Sequence, residues 1–356
     1  MEIDCTRLTH STGDLGLLTL QRGQSLNALT YSMIKTLNHQ LAQWQVDDSI
    51  KAVVIQSADP KAFCAGGDIR RLYQEKLAGN PDVFDFFTHE YTLNYRIARY
   101  PKPYIALLNG ITMGGGVGIS LHGCRVVATE NLRFAMPETQ IGFFPDIGSS
   151  YLLARCPGAL GSYLALTGIQ LNQADCVYAG LIQYSLAADD LPALLDTLQS
   201  TKGEQLDQVL SEANQPTASS VIEQHQSIID QCFHQPTVTA IFEQLEIAAR
   251  THEWAAQTLA MLHTKSPTSL VVALTQLQLA NTQTLAQCLT TDYRLAHRFL
   301  TDHDFFEGVR ALLIDKCKQP QWQPSQLNKV DHRTIEQYFA PLSQELELSD
   351  DNLAFI

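Results

Sequence analysis

Two glycine-rich segments carry the residue types and spacing that could stabilise a negative charge. They are C-A-G-G-D at residues 64–68 and M-G-G-G-V-G at residues 113–118. Each follows a segment with strand character and precedes one with helix character, so each places free backbone N–H groups at a helix start, where the helix dipole favours negative charge. Glycine suits such turns because the chain must pass close to a ligand and can adopt a positive φ. If the two turns face one another, they predict an oxyanion hole.

Either glycine-rich segment could instead be a tight strand-to-helix connection that packs against a neighbour. A phosphate site is the other alternative, but neither segment fits G-x-x-x-x-G-K-[ST], and no G-x-G-x-x-G lies between a strand and a helix with a partner acid. Nucleotide hydrolysis and nicotinamide chemistry are therefore disfavoured. G-x-S-x-G is absent, which argues against a serine hydrolase of the nucleophile-elbow type.

Alternating strands and helices must position these turns. Residues 15–21 and 51–56 are short β-rich runs, and between them Thr30 can cap a helix whose apolar residues recur at helical spacing. One helix follows the first glycine-rich segment, and further strands are predicted at residues 103–108 and 124–129. Repeated β-α-β units predict an α/β fold with a mostly parallel sheet under helices.

The second half of the chain differs from the first. Strand signals fade beyond about residue 185, and helices are predicted at residues 187–197, 236–250, 253–262 and 268–279, where Gln, Glu and Ala dominate. The sequence therefore predicts an α/β core over residues 1–185, which carries both glycine-rich segments and would be the catalytic part of an enzyme, and an α-helical C-terminal region over residues 186–356.

Composition excludes several classes of protein. The 356 residues include 37 acidic and 24 basic side chains, for a formal charge of −13, of which −12 falls in residues 181–356. A nucleic-acid binder needs a basic stripe, and none is present. No smooth apolar run could cross a bilayer. Eight scattered cysteines fit reduced thiols, and the first residues show no targeting signal, so a cytoplasmic location is expected.

Three segments together carry a family resemblance. K-A-F-C-A-G-G-D-I at residues 61–69, N-G-I-T-M-G-G-G at residues 109–116 and S-L-N-A-L at residues 25–29 closely resemble the signature segments of the crotonase (enoyl-CoA hydratase/isomerase) superfamily. The resemblance implies a ββα spiral core and an acyl-CoA thioester substrate, with no cofactor or metal because CoA is part of the substrate. By position, the N–H groups of Gly67 and Gly115 would hold the thioester oxygen.

The side chains near these turns narrow the resemblance to one branch. Hydratases of this superfamily use two glutamates; the first position is Gly118 here, and the second is Glu138. Asp146 stands where hydratases commonly have glycine. This exchange resembles the branch that hydrolyses 3-hydroxyisobutyryl-CoA, as do E-Y-T-L-N at residues 90–94 and several segments as far as residue 311. G-S-S at residues 148–150 departs from that branch's glycine triplet.

The resemblance implies hydrolysis of a short 3-hydroxyacyl-CoA, most closely 3-hydroxyisobutyryl-CoA in valine degradation. Glu138 would attack the carbonyl or act as general base on water. Asp146 would hold the 3-hydroxyl group of the substrate and orient or deliver a proton. Glu90 and Gly115 would also contact the substrate. Glu138 and Asp146 could instead cap helices, and Glu90 could be a solvated helix acid. A hydratase or isomerase, or a non-catalytic crotonase-fold binding protein, are the alternative functions. The sequence leaves two questions open: whether the chain forms a homo-oligomer, and whether it prefers 3-hydroxyisobutyryl or 3-hydroxypropionyl groups.

Overall fold

The fold is known from a computed structural model that describes residues 2–80 and 83–349. Its strands form two sheets, one of six strands and one of three. The strands are β1 (Ile3–Leu8), β2 (Asp14–Leu20), β3 (Ile50–Ser57), β4 (Ala62–Cys64), β5 (Tyr104–Leu108), β6 (Ile111–Met113), β7 (Arg125–Thr129), β8 (Arg133–Ala135) and β9 (Tyr184–Leu186).

Helices cover the sheets and make up most of the second half of the described chain. In chain order they are α1 (Tyr31–Gln45), α2 (Ile69–Leu77), α3 (Val83–Ala98), α4 (Gly115–Gly118), α5 (Ser149–Leu153), α6 (Leu160–Thr167), α7 (Gln173–Tyr178), α8 (Leu191–Ser200), α9 (Leu206–Ala213), α10 (Val221–Phe233), α11 (Val238–Ala248), α12 (Glu253–Leu262), α13 (Pro267–Ala280), α14 (Leu285–Phe299), α15 (His303–Val309) and α16 (His332–Phe339). A π-helical turn, Arg310–Ile314, extends α15.

The large sheet has the order β1-β2-β3-β5-β7-β9. Every neighbouring pair is parallel except β1 and β2, so the predicted mostly parallel sheet is confirmed. The central strands are continuous apolar runs because helices cover both faces of such a sheet. The sequence prediction missed β1, an edge strand in which apolar and polar residues alternate and most side chains are only partly buried.

The small sheet, β4-β6-β8, is parallel throughout. Its three strands are only three residues long; β6 and β8 pair in regular register, with Met113 opposite Ala135 at one end, and the pairing of β4 with β6 has a register shift. The carboxyl ends of parallel strands meet at the same edge of a sheet, where ligands commonly bind. The chain segments that leave this edge are therefore brought together.

Local signals set the helix boundaries. The Thr30 hydroxyl accepts a hydrogen bond from the Met33 N–H at 3.2 Å, so the predicted cap of α1 is confirmed. The single helix predicted after the first glycine-rich segment is in fact two helices, α2 and α3. Gly79, with φ of +75°, follows the end of α2 and reverses the chain, as a glycine just past a helix end commonly does.

The helical region after Leu186 shares its core with the first half. One continuous cluster of buried apolar side chains runs from Ile3 to Leu346, and it includes residues of α10, α13 and α14. A second, smaller cluster fills the space between the large sheet and helices α8 and α9. The predicted boundary at residue 185 falls within β9, the last strand among the described residues, and as a domain boundary it stays a prediction.

Three further observations concern the described residues as a whole. The helices described here are all too short or too polar to pass through a bilayer. All eight cysteines are free thiols, as expected from their scattered spacing. Among the described residues, no group of three or more His, Cys, Asp or Glu side chains could hold a metal ion.

Candidate active site

The three strands of the small sheet deliver the three segments that form the site. Strand β4 ends at Cys64 and leads into the turn at Gly66 and Gly67, and β6 ends at Met113 and leads into the turn at Gly114 and Gly115. Strand β8 ends at Ala135, and Pro137 and Glu138 follow it. The two glycine turns and Glu138 therefore meet at one sheet edge, as the sequence predicted for the two turns.

The two glycine turns face one another at van der Waals distance. A Cβ atom built on Gly115 would lie 3.3 Å from the Gly67 nitrogen, and one built on Gly66 would lie 3.6 Å from the Gly115 nitrogen. Gly66 has φ of +107° and Gly114 has φ of +48°, a conformation that side chains rarely adopt. Glycine is thus required here both by backbone conformation and by the close approach of the second turn.

The N–H groups of Gly67 and Gly115 are left free by the local hydrogen bonding. Gly67 forms a parallel bridge with Leu29, but that bridge uses the Gly66 carbonyl and the Asp68 N–H, at 2.8 and 2.9 Å. Gly115 is the first residue of α4, so its N–H has no acceptor within the helix. Neither N–H donates to any other backbone acceptor among the described residues. Two free amides from facing turns are the donors that an oxyanion hole needs.

Three buried carboxyl groups surround these amides. A Cβ atom built on Gly114 would lie 3.0 Å from Glu138 Oε1. A Cβ atom built on Gly115 would lie 2.5 Å from Oε1 of Glu90, which is on helix α3. Asp146 lies in the segment before α5, where its Oδ2 accepts a hydrogen bond from the Tyr91 hydroxyl at 2.8 Å. One oxygen of Glu90 and one of Glu138 are fully buried and have no hydrogen-bond partner among the described residues.

Burial controls the protonation of these groups. It raises the pKa of Glu90 and of Glu138 well above the usual value of 4.5, and repulsion from Asp146 raises both further. Burial raises the pKa of Asp146 from 3.8 to about 7, although the Tyr91 hydrogen bond favours the ionised form and opposes the shift. Carboxyl groups with raised pKa values in one cavity are suited to acid and base roles near neutral pH.

The carboxyl groups and both glycine turns line one cavity of about 710 Å³. Phe86, Phe87 and Phe143 form apolar parts of its wall, and Arg70 is the one basic residue among the described residues that line it. The volume is within the range of small-molecule sites. An apolar cavity with a few convergent polar groups can bind an acyl group and exclude bulk water from its carbonyl.

Comparison with known proteins identifies the family. Residues 15–339 match the family model for enoyl-CoA hydratase/isomerase. The chain belongs to the enoyl-CoA hydratase/isomerase family. A 3-hydroxyisobutyryl-CoA hydrolase, mitochondrial, from Rattus norvegicus is 41% identical to it over 94% of this chain and 89% of the relative. The predicted family is therefore confirmed.

Two crystal structures of this family share the complete fold. A carnitinyl-CoA dehydratase from Mycobacterium thermoresistibile has a TM-score of 0.90 and 35% identity, and covers 97% of this chain and 98% of its own. An enoyl-CoA hydratase from Rhodobacter sphaeroides 2.4.1 has a TM-score of 0.90 and 34% identity, and the match covers 98% of this chain and 100% of that chain. The predicted crotonase-like α/β fold with a helical C-terminal region is confirmed.

Gly118, where the sequence resemblance implies a glutamate in hydratases, has little room for a side chain here. A Cβ on Gly118 would lie 2.6 Å from Nδ2 of Asn94, and both residues are fully buried. Asn94 lies one helical turn after Glu90 on α3. The two side chains therefore fill the space between α3 and α4, Glu90 next to Gly115 and Asn94 next to Gly118. The absence of an acid at residue 118 is thus built into the packing between α3 and α4.

The alternative roles that the sequence left open for the acids are resolved as follows. Asp146 does not cap α5, because Gly148 is the N-cap residue and the Asp146 side chain bonds to Tyr91. Glu138 is the first residue of a short 3-10 helix but makes no cap bond, and its buried carboxyl faces the cavity. Glu90 is only 2% exposed, so it is not a solvated helix acid. Asp68, by contrast, caps α2, where its side chain accepts a hydrogen bond from the Arg71 N–H.

Sequence reasoning missed two contributions to the site. Tyr91 follows Glu90 in the E-Y-T-L-N segment, which predicts no separate role for it, and its hydroxyl group donates a hydrogen bond to Asp146. Leu312 and Leu313, in the π-helical turn, supply part of the cavity wall from far along the chain. Nothing in the local pattern around Leu312 distinguishes it from an ordinary helical residue.

Proposed function

We propose that this chain hydrolyses 3-hydroxyisobutyryl-CoA to 3-hydroxyisobutyrate and CoA. The observation that carries the proposal is the pair of free amides at Gly67 and Gly115, which face the same cavity as the carboxyl groups of Glu138 and Asp146. The rat relative named 3-hydroxyisobutyryl-CoA hydrolase, mitochondrial, supports it across nearly the whole chain. The predicted enzyme class, an acyl-CoA thioester hydrolase, is confirmed by this similarity.

Hydrolysis of a thioester needs a stabilised oxyanion, an attacking oxygen and a proton for the leaving thiolate. The N–H groups of Gly67 and Gly115 would hold the carbonyl oxygen as it becomes negative; one donor of such a hole is typically worth about 3–4 kcal/mol of the barrier. An oxygen adds to the carbonyl carbon, the C–S bond breaks, and CoA leaves as a thiol. Because both donors are backbone groups, this part of the mechanism needs no side-chain donor.

Glu138 would supply or activate the attacking oxygen. As nucleophile, its carboxylate would form a transient anhydride that water then hydrolyses; as general base, it would take a proton from the attacking water. Turnover in ¹⁸O-labelled water tests the anhydride route. Label in the carboxyl group of Glu138, found by mass spectrometry of its peptide, would show an anhydride that water opens at the Glu138 carbon. An unlabelled carboxyl group is expected of general-base catalysis and also of an anhydride that water opens at the acyl carbon, and trapping the anhydride with hydroxylamine separates these two cases.

Asp146 and Glu90 would recognise the 3-hydroxyl end of the substrate. Both lie in the same cavity as the amides, and their raised pKa values let at least one of them be protonated near neutral pH. A protonated carboxyl can donate a hydrogen bond to the substrate, whereas an ionised one can only accept. Asp146, whose pKa is about 7, is the better placed of the two to return a proton to the leaving thiolate.

Hydration of an enoyl-CoA is the second candidate function, because the two crystal structures with the same fold are named a carnitinyl-CoA dehydratase and an enoyl-CoA hydratase. Family hydratases, as the sequence resemblance implies, use a glutamate at the position of Gly118. Here Asn94 fills that place. Hydrolysis is therefore the function that the cavity supports better.

A substrate panel tests the proposed function. The chain is mixed with 3-hydroxyisobutyryl-CoA, 3-hydroxypropionyl-CoA or crotonyl-CoA; release of free thiol is followed with a thiol reagent, and hydration is followed by loss of the enoyl absorbance. We expect thiol release from the 3-hydroxyacyl thioesters and little hydration of crotonyl-CoA. Rapid hydration without thiol release would reject the hydrolase assignment.

Replacement of Glu138 by Gln is the matched test of the site. The amide keeps the shape of the side chain but cannot act as a base or nucleophile, so we expect kcat to fall by about 10²–10⁴-fold or more. The circular dichroism spectrum should be unchanged, because the buried Oε2 has no hydrogen-bond partner to lose among the described residues. Near-normal hydrolysis by Glu138→Gln would contradict the role proposed here.

Location, assembly and cofactor use stay predictions. The acyl-CoA substrate follows from the family, whereas the homo-oligomer and the lack of a cofactor rest on the sequence resemblance. A cytoplasmic location also stays a prediction, since the rat relative carries the word mitochondrial in its name. Cell fractionation and light scattering of the purified protein would measure location and assembly.

A further inference from the structure

The turn that carries Asp146 has a strained backbone. Ile147, the next residue, has φ of +58°, and Gly148 has φ of +71°. A β-branched residue in the left-handed region is rare, because its Cβ crowds the following carbonyl. Such a conformation persists only where the surrounding structure holds it in place, and it is found most often at functional sites.

Hydrogen bonds from three different elements hold this turn. His122 Nε2 donates to the Ile147 carbonyl at 2.6 Å. The Gly148 N–H donates to Oδ2 of Asp292 at 2.7 Å. Gln276 Nε2 donates both to Oδ1 of Asp292 at 2.6 Å and to the carbonyl of Pro145 at 3.1 Å. The residues on either side of Asp146 are therefore all fixed from outside the turn.

Asp292 is the central member of this network. It lies on α14 and is fully buried, and Gln276 lies on α13 and is 2% exposed. A buried carboxyl group is unfavourable unless its hydrogen bonds compensate for lost hydration. Both oxygens of Asp292 are committed, one directly to the turn and the other to the amide that also holds Pro145. Its partners thus point to a role in shaping the turn.

We infer that Asp292, together with Gln276, is a positioning residue that fixes the turn at residues 145–148 and so aims the carboxyl group of Asp146 into the cavity. This inference rests on the proposed function, because it gives the direction of Asp146 a catalytic value. It also gives the C-terminal helical region a part in catalysis, since both positioning residues come from it.

A double-mutant cycle tests the inference. Asp292→Ala removes the acceptor for the Gly148 N–H, and we expect kcat for thioester hydrolysis to fall about 100-fold, the effect of a displacement of about 1 Å in a catalytic group. Asp292→Asn keeps one oxygen that can accept that bond, and it should retain activity to within about 10-fold of wild type, a partial rescue. In an Asp146→Asn background, Asp292→Ala should cause no further loss, because Asp292 acts through Asp146. Full additivity, or unchanged kcat in Asp292→Ala, would overturn the inference.

Asp175 provides a matched control. It is another buried carboxyl group, which accepts bonds from the Ser220 hydroxyl and from the N–H groups of Val221 and Ile222 at the start of α10, away from the cavity. Asp175→Ala should lower the free energy of unfolding without lowering kcat of the folded protein. Equal losses of kcat in Asp175→Ala and Asp292→Ala would reduce Asp292 to a general structural role.

A crystal structure of Asp292→Ala adds a readout that does not depend on activity. We expect the turn to relax, with Ile147 returning to negative φ. An unchanged turn would overturn the inference even if the wild-type chain proved inactive on the thioesters. An inactive wild-type chain, by contrast, would reject the proposed function, so the two failures are distinguishable.

Discussion

Replacement of Asp146 by Asn should make the protein more stable at alkaline pH and less active near neutral pH. Burial raises the pKa of Asp146 from 3.8 to about 7 in the folded chain. The folded state therefore binds this proton more tightly than the unfolded state, and the free energy of unfolding must fall as pH rises from about 4 to about 7. A shift of this size corresponds to about 4 kcal/mol. Asparagine does not titrate and can still accept the Tyr91 hydrogen bond, so Asp146→Asn should escape this loss.

Urea unfolding at pH values between about 4 and 8.5 measures the effect. The two proteins should have similar unfolding free energies near pH 4, and the variant should become more stable by about 4 kcal/mol above pH 7. Near pH 7, thiol release by the variant should be about 100-fold slower than in wild type, because the carboxyl group is proposed to donate a proton there. A stability difference that does not change with pH would refute the reasoning, as would a variant that is less stable than wild type at pH 8.

Three further substitutions test neighbouring parts of the site. Gly115→Ala would place a Cβ 2.5 Å from Glu90 Oε1, in the space between the two amides, and kcat/KM should fall at least about 100-fold in the thiol-release assay. Gly118→Ala would place a Cβ 2.6 Å from Asn94, so urea unfolding should show a loss of about 1–3 kcal/mol, and assays with crotonyl-CoA should show no gain of hydration. Tyr91→Phe removes a hydrogen bond that lowers the pKa of Asp146, so the total fall in unfolding free energy between pH 4 and pH 8 should become larger than in wild type and should continue to higher pH.

Local chemistry explains which parts of the fold could be predicted from the sequence. The glycine turns were predictable because a positive φ and a close backbone approach restrict residues such as Gly66 and Gly114 to glycine, and that restriction is visible in the sequence itself. The buried strands were predictable because both their faces are covered and the residues are continuously apolar. Strand β1 was missed because an edge strand is half solvated and its pattern is weak.

The parts of the site that escaped prediction are those supplied across long stretches of chain. Tyr91 and Asp146 are 55 residues apart, and Asp292 is 144 residues from Gly148. Neither pair has a local pattern that marks it, because a single tyrosine or aspartate on a helix face has the same appearance whether it is solvated, capping or bonded to a distant turn. The roles of Glu138 and Asp146 were assignable only through the family resemblance, which is also why they stay proposals.

In this site, backbone groups and side chains have separate proposed roles, which explains how one fold can serve different reactions. The proposed oxyanion hole consists of the backbone N–H groups of Gly67 and Gly115, which follow the ends of β4 and β6, so it would hold a thioester carbonyl without a side-chain donor. The reaction then depends on which carboxyl groups can reach the bound acyl group. In this chain Asn94 closes the position of Gly118, while the network of Asp292 places an acid at Asp146. An aspartate placed in a hydratase of this family at the position that corresponds to Asp146 should therefore not create a hydrolase by itself. The supporting residues on α13 and α14 would also have to be present.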